Sequence, residues 1–365
     1  MGNRPECIQG PRRRLSYQQA RRGVRLLLFQ GTENVADNPP EKTRAPLDVT
    51  AISRRIIANV EQVIVGKRAQ IIHVLVAWYC EGHVLLEDVP GVAKTMLARA
   101  FARSVGCTFK RIQCTPDLLP TDVTGGSIFN QKLSEFEFRP GPIFAQVVLA
   151  DEINRATPRT QAALLEAMAE GSVTIDGATH RLQPPFLLIA TQNPIDHEGT
   201  FPLPEAQLDR FLVKLSLGYP QLDEEVQMLD MLKREHPLEK VQPVLTAEQL
   251  AACQRAVRTV HVDAKIRRYI AEIVHATRAH HDVRLGGSPR ASIALYRTAQ
   301  AVAAIRGRTY VEPDDVKQMV QSVLGHRIIL QPESRLQNVT VAEILTDVMD
   351  ETKAPLMEAP AAVRT

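Results

Sequence analysis

The feature that most narrows the fold is a short apolar run, Val84–Glu87, which passes through Asp88-Val89-Pro90-Gly91-Val92-Ala93-Lys94-Thr95 into a helical period over Lys94–Val105. A loop between a strand and a helix can turn its backbone N–H groups inward around phosphates. It needs a lysine to reach the β- and γ-phosphates and a hydroxyl for magnesium. Lys94 and Thr95 supply those two groups. The spacing G-x-x-x-x-G-K-S/T is not strictly met, because Asp88 and Ala93 stand at the two glycine positions and only Gly91 is glycine. A Lys-Thr pair at an ordinary helix start is the competing reading.

A second segment weighs against that bland alternative. Val147–Ala150 reads as a buried strand and runs straight into two acids, Asp151 and Glu152. Side chains diverge at a strand end, so Asp151 can serve a Mg²⁺ shell while Glu152 polarises an attacking water. Downstream, the strand Phe186–Thr191 leads into Gln192-Asn193-Pro194, and Asn193 could orient the same water. Asparagine before proline is also simply a turn signal.

The surrounding pattern is that of an α/β domain. Phe109–Gln113 is a further strand, apolar and short enough for a sheet covered on both faces. Thr157-Pro158 starts a helix that Gly171 stops, and Asp176-Gly177 turns a hairpin between Val173–Ile175 and Ala178–Leu182. After Tyr219-Pro220 the chain reads as helix after helix with no convincing strand. Thr246 and Gln249 form a capping box, Val262, Ile266, Ile270, Ile273 and Thr277 keep helical spacing, and Ser288-Pro289 and Pro313 open further helices. The expected division is an arm over 1–46, a nucleotide-binding domain over 47–219, a helical lid over 220–333 and a weakly specified tail over 334–365.

Composition bounds the function classes. Apolar residues make up 44% and charged residues 23%, ordinary values for a soluble globular chain. No apolar run approaches the roughly 18 residues of a membrane span. Five cysteines without a C-x-x-C pair argue against both a disulfide framework and a zinc site, and place the chain in a reducing cytoplasm. His275, His280 and His281 cluster loosely without a metal-ligand spacing. Residues 1–46 hold nine basic groups against four acids, +5 locally within a net +3, so the remainder is −2. The arm reads as a disordered leader, or as a patch for nucleic acid or an anionic surface. A body that is not basic, with Trp78 alone and in a core-like helix, weighs against nucleic acid as a partner.

Taken together, Asp88–Thr95, the run Arg111-Ile112-Gln113-Cys114-Thr115-Pro116-Asp117-Leu118-Leu119-Pro120, Asp151-Glu152-Ile153-Asn154-Arg155, and Ala190–Pro194 through Phe201–Phe211 closely resemble the MoxR family of AAA+ ATPases. The resemblance covers roughly Leu47–Leu330. It implies a P-loop NTPase fold, three layers around a mainly parallel sheet, followed by an all-helical lid. It implies ATP and Mg²⁺ as ligands, with Lys94 and Thr95 as the Walker A pair, Asp151 and Glu152 as Walker B, and Asn193 as sensor 1. Pro90, Gly91, Val92 and Ala93 would cradle phosphate, and Val65-Gly66, ahead of the first long helix, would cradle adenine. Arg210 resembles an arginine finger, with Arg155 and Arg159 as rivals, and Arg290 resembles sensor 2. Leu118–Phe144 resembles an insert in the second helix, and Val173–Leu182 the hairpin before sensor 1. The family further implies a ring, expected as a hexamer, and a chaperone-like motor that matures client enzymes, with partners bearing a von Willebrand factor A domain. A nucleic-acid motor and a nucleotide-sensing scaffold with little hydrolysis are the alternatives. DNA-stimulated turnover and steady-state phosphate release separate them.

Overall fold

The computed structural model describes residues 48–194, 199–232 and 237–356, so the basic arm lies outside the described residues. In chain order the first half runs α1 (Val49–Glu61), α2 (Arg68–Tyr79), β1 (Val84–Glu87), α3 (Lys94–Ser104), β2 (Phe109–Gln113), α4 (Pro120–Thr124), β3 (Gly125–Asn130), β4 (Glu135–Pro140), β5 (Val147–Asp151) and α5 (Pro158–Glu170). It continues through β6 (Ser172–Ile175), β7 (Ala178–Arg181), β8 (Leu187–Gln192), α6 (Glu205–Leu208) and β9 (Val213–Leu215). The remainder is α7 (Leu222–Leu232), α8 (Pro237–Lys240), α9 (Ala247–Val257), α10 (Ala264–Ala279), β10 (Val283–Leu285), α11 (Pro289–Ile305), α12 (Pro313–Leu324), β11 (Ile329–Leu330), α13 (Pro332–Leu336) and α14 (Val341–Glu351).

Five strands form one parallel sheet in the order β2-β5-β8-β1-β9. Side chains alternate across a strand, and in β1, β5 and β8 both sets are buried. Val84, Leu86, Val147, Leu149, Leu187 and Ile189 face one apolar core with α1, α2 and α3. Leu85, Val148, Ala150, Leu188 and Ala190 face a second, with Leu164, Leu165 and Met168 of α5. This is why β1, β5 and β8 read as continuous apolar runs, whereas β2, expected to be apolar and covered on both faces, is an edge strand that exposes Lys110, Arg111 and Gln113. The first core does not stop at the sheet: it continues without a break into Leu250, Ile266, Ile270, Leu295, Met319 and Val323 of the C-terminal helices. Trp78, fully buried in α2, belongs to it.

Local signals place most ends. Thr157 Oγ1 accepts from the Thr160 amide at the start of α5, and Gly171 closes that helix in a left-handed conformation. Asp176 and Gly177 both have positive φ, as a type I′ hairpin turn demands. The two hairpins are fastened together: Ser127 Oγ donates to Asp176 Oδ2 at 2.7 Å, and Phe138 stacks on His180 with ring centroids 4.2 Å apart.

Two expectations change. The region after Tyr219 is not strand-free, because β10 and β11 pair antiparallel. Segments of three and two residues are too short to show alternation. Residues 334–356 are better specified than expected. Asn338 turns with φ +60, and Thr340 and Glu343 form a reciprocal capping box that opens α14. The buried face of α14, Ile344, Leu345 and Val348, closes the first core. Ile344→Ala is therefore expected to lower unfolding free energy by about 2–5 kcal/mol, the usual cost of truncating a fully buried aliphatic side chain. Denaturant unfolding checks it, and a change below about 0.5 kcal/mol would mean that α14 is peripheral.

Candidate functional site

The loop Asp88–Ala93 leaves the carboxyl end of β1 and delivers α3. Gly91 takes φ +90 with open space where a Cβ would stand. Ala93 is left-handed too, at φ +59 and ψ +21, a conformation costing a non-glycine residue roughly 1–2 kcal/mol. The amides of the first turn of α3 have no partner within the helix and are available at the loop. A cleft of about 360 Å³ opens there, lined by Pro90, Gly91, Val92, Ala93, Lys94, Thr95, Asp151, Glu152 and Asn193, together with Arg111 and Gln113. Lys94 Nζ donates to the Asp88 carbonyl at 2.6 Å. Burial pulls the Lys94 ammonium below the ordinary lysine range, while the charges of Asp88, Asp151 and Glu152 oppose that shift.

Across the cleft the two acids diverge. Asp151 Oδ1 accepts from Thr191 Oγ1 at 2.6 Å, and Thr191 Oγ1 accepts in turn from the Glu152 amide at 2.8 Å. That hydroxyl on β8 bridges both residues at the end of β5. Glu152 is held left-handed, at φ +57 and ψ +51, a strained state for a residue with a side chain. The other carboxylate oxygens meet the neighbouring strand. Arg111 binds Asp151 Oδ2 through Nε at 3.0 Å and Nη2 at 2.5 Å. Gln113 Nε2 donates to Glu152 Oε2 at 3.0 Å, and Arg155 Nε is 3.6 Å from the same oxygen. Asn193 is buried at the end of β8.

Arg111, Gln113 and Thr191 were visible in the sequence only as parts of strands or of a family signature. The signal for the first two is the alternation of β2, which buries Ile112 and sends Arg111 and Gln113 to the same side. Asp88 also has a role that its place in the loop did not reveal. Its carboxylate is buried and accepts from Ser216 Oγ at 2.9 Å, the Gly218 amide at 3.1 Å and, more closely, the Leu217 amide. The loop is thereby tied to the chain leaving β9.

Four predicted residues lie elsewhere. Val65 and Gly66 fall between α1 and α2, not ahead of the first long helix, and are not in the cleft lining. Gly66 has φ +71 and abuts the Glu224 side chain, which a Cβ there would overlap. Arg210 and Arg290 share a separate 430 Å³ cleft with Asp209, Arg297 and Arg327. Arg210 is exposed and donates from Nη1 to the Leu165 carbonyl at 2.9 Å, and Arg290, 68% exposed, is 4.0 Å from Asp209 Oδ2. Arg155 is at the cleft through Glu152, so it remains distinct in position from Arg210.

The histidines are better ordered than their spacing suggested. His280 and His281 stack at 4.6 Å, and His281 Nε2 is 3.0 Å from Asp282 Oδ2. Asp282 Oδ1 accepts from Ser334 Oγ at 2.6 Å, which fastens the β10–β11 ribbon to α13. Among the described residues the cysteines, Cys80, Cys107, Cys114 and Cys253, are all free, and no helix is long and apolar enough to cross a membrane.

Asp88→Gly would restore the residue that phosphate loops ordinarily carry. It is expected to destabilise the fold by about 1–3 kcal/mol, because the Leu217 and Gly218 amides lose their acceptor. Unfolding measured by heat or denaturant decides this, and a more stable variant would contradict the anchoring role.

Comparison with known proteins agrees with this geometry. Residues 83–213 match the model of the ATPase family associated with various cellular activities (AAA), and residues 275–348 match the AAA lid domain. An uncharacterised protein of Bacillus subtilis, YeaC, is 52% identical over 85% of this chain and 97% of its own. Chaperone MoxR1 of Mycobacterium tuberculosis is 41% identical over 84% of this chain and 83% of its own, and Protein MoxR of Paracoccus denitrificans 32% over 80% and 92%. A solved structure from Cytophaga hutchinsonii, assigned as an ATPase, superposes with a TM-score of 0.79 at 36% identity, covering 84% of this chain and 96% of that one. With the P-loop fold, the helical lid and these relatives in hand, the chain belongs to the MoxR family of nucleotide-binding AAA+ ATPases.

Proposed function

We propose that this protein hydrolyses ATP with Mg²⁺ and uses the energy as a chaperone-like motor on client protein complexes. The observation that carries the reading is the convergence of Lys94, Thr95, Asp151, Glu152 and Asn193 on one cleft at the opening of α3. The Thr95 hydroxyl and the Asp151 carboxylate are hard oxygen donors of the kind Mg²⁺ takes. Mg²⁺ held there supplies neutralisation of charge on the β- and γ-phosphates. The loop amides and Lys94 bind phosphate, Glu152 accepts a proton from water, and Asn193 orients that water. Residues 47–219 carry the nucleotide and 220–333 form the lid.

The position of Arg210 supports a shared site: it is exposed and lines a different cleft from Lys94, which suits an arginine supplied to a neighbour's nucleotide. A ring, hexameric in the simplest case, supplies that neighbour. Arg290, in the first turn of α11, remains the proposed sensor 2. Val65-Gly66 remains the proposed adenine contact. The cytoplasm, client enzymes and partners bearing a von Willebrand factor A domain complete the proposal.

Lys94→Ala is expected to abolish nucleotide binding. Glu152→Gln should keep binding and lose about 10²–10⁴ in turnover. Equilibrium binding and phosphate release measure the two, and a Glu152→Gln variant at the parent rate would remove Glu152 from the mechanism. Arg210→Ala should bind ATP yet hydrolyse it slowly, by up to about 10³–10⁵. Mixed rings of Arg210→Ala with Glu152→Gln should regain part of the activity, since one interface then pairs an intact Glu152 with an intact Arg210. A fully active Arg210→Ala would transfer the role to Arg155 or Arg159.

A further inference from the structure

Asp209 immediately precedes Arg210, and it is where the C-terminal helices grip that segment. Arg327, just beyond α12, has a side chain 3% exposed. Its Nε donates to Asp209 Oδ1 at 2.7 Å. Its Nη2 donates to the carbonyls of Asp209 at 3.2 Å and Phe211 at 2.6 Å, the two that flank Arg210. Its Nη1 donates to the Leu212 carbonyl at 3.2 Å and closely to that of Val323. His326 adds a contact from Nε2 to the Phe211 carbonyl at 3.0 Å. From the start of α11, Ser288 Oγ donates to Asp209 Oδ2 at 3.3 Å.

A buried guanidinium is costly unless its donors are met, and an apolar side chain would hold two elements together as well. What the planar fork adds is direction. Here it fixes the carbonyls on either side of one exposed residue. Phe211, fully buried in the second core, anchors the far side of the same segment.

We propose that Arg327, acting through Asp209 and the carbonyls flanking Arg210, is a positioning residue for the guanidinium that Arg210 presents to the neighbouring subunit's nucleotide. The lid of one subunit thereby sets hydrolysis in the next. The proposal rests on reading Arg210 as a residue that acts in trans.

The test uses full-length rings carrying Asp209→Asn or Arg327→Lys, with Ser288→Ala as a mild variant. Ser288 makes no side-chain capping bond to α11, so its hydroxyl can be removed without unsettling the helix start. Each variant should bind a fluorescent ATP analogue at its own P-loop with affinity within about twofold of the parent, while kcat falls and KM changes little. Asp209→Asn and Arg327→Lys should lose about 10- to 10²-fold in kcat, the scale of a small misplacement of a reacting group. Ser288→Ala should lose about two- to fivefold, in keeping with one long hydrogen bond. Mixed rings give the decisive readout. Asp209→Asn with Glu152→Gln should regain activity, and Asp209→Asn with Arg210→Ala should not, because both impair the same half of the interface. If Arg210→Ala with Glu152→Gln fails to recover, the trans reading itself falls. If that pair recovers but Asp209→Asn with Glu152→Gln does not, the positioning role is overturned. Should Asp209→Asn and Arg327→Lys both fail to fold, an unchanged kcat in Ser288→Ala overturns it as well.

Discussion

All five strands of the central sheet are parallel, so all their carboxyl ends lie along one edge, and every polar group of the cleft depends on that constraint. β8 lies between β5 and β1. Its last residues therefore stand beside the acids of β5 on one side and the start of the phosphate loop on the other. The Asp88 amide still pairs with the Gln192 carbonyl, which extends the β1–β8 ladder into the loop itself. Groups more than 100 residues apart in the chain become neighbours because ladder register leaves them no alternative.

What was legible in the sequence was what local physics writes locally. Strands buried on both faces are continuous apolar runs, a Thr-Pro pair caps a helix, and Asp-Gly turns a hairpin. The loop and the two acids were legible because each is a short contiguous pattern. What escaped was pairing across strands and across long separations. Nothing near Arg111 announces Asp151, and nothing near Asp88 announces Ser216, 128 residues on. The β10–β11 ribbon escapes because its strands are shorter than a pattern, and α14 because the left-handed turn at Asn338 separates its capping box from the preceding helical periodicity.

The Asp88 and Ala93 positions show two different ways to lack a glycine. Asp88 uses its side chain as a tether, so the residue is there for what it holds. Ala93 simply adopts the strained conformation that glycine would take freely. The acids facing them are engaged but not locked. Arg111 is 44% exposed and Arg155 41%, and ion pairs open to solvent contribute only about 0–1 kcal/mol.

One feature of the packing bears on mechanics. The first apolar core runs from the sheet through α2 into α10, α11 and α12, and is sealed by α14. Side chains packed at interior density slide between discrete arrangements and do not deform smoothly. A lid joined in this way cannot swing open like a flap on a flexible strap without parting a shared interior. Separating the helices from the sheet face would bring that shared interior into water, so displacements that keep the helices packed cost less apolar burial.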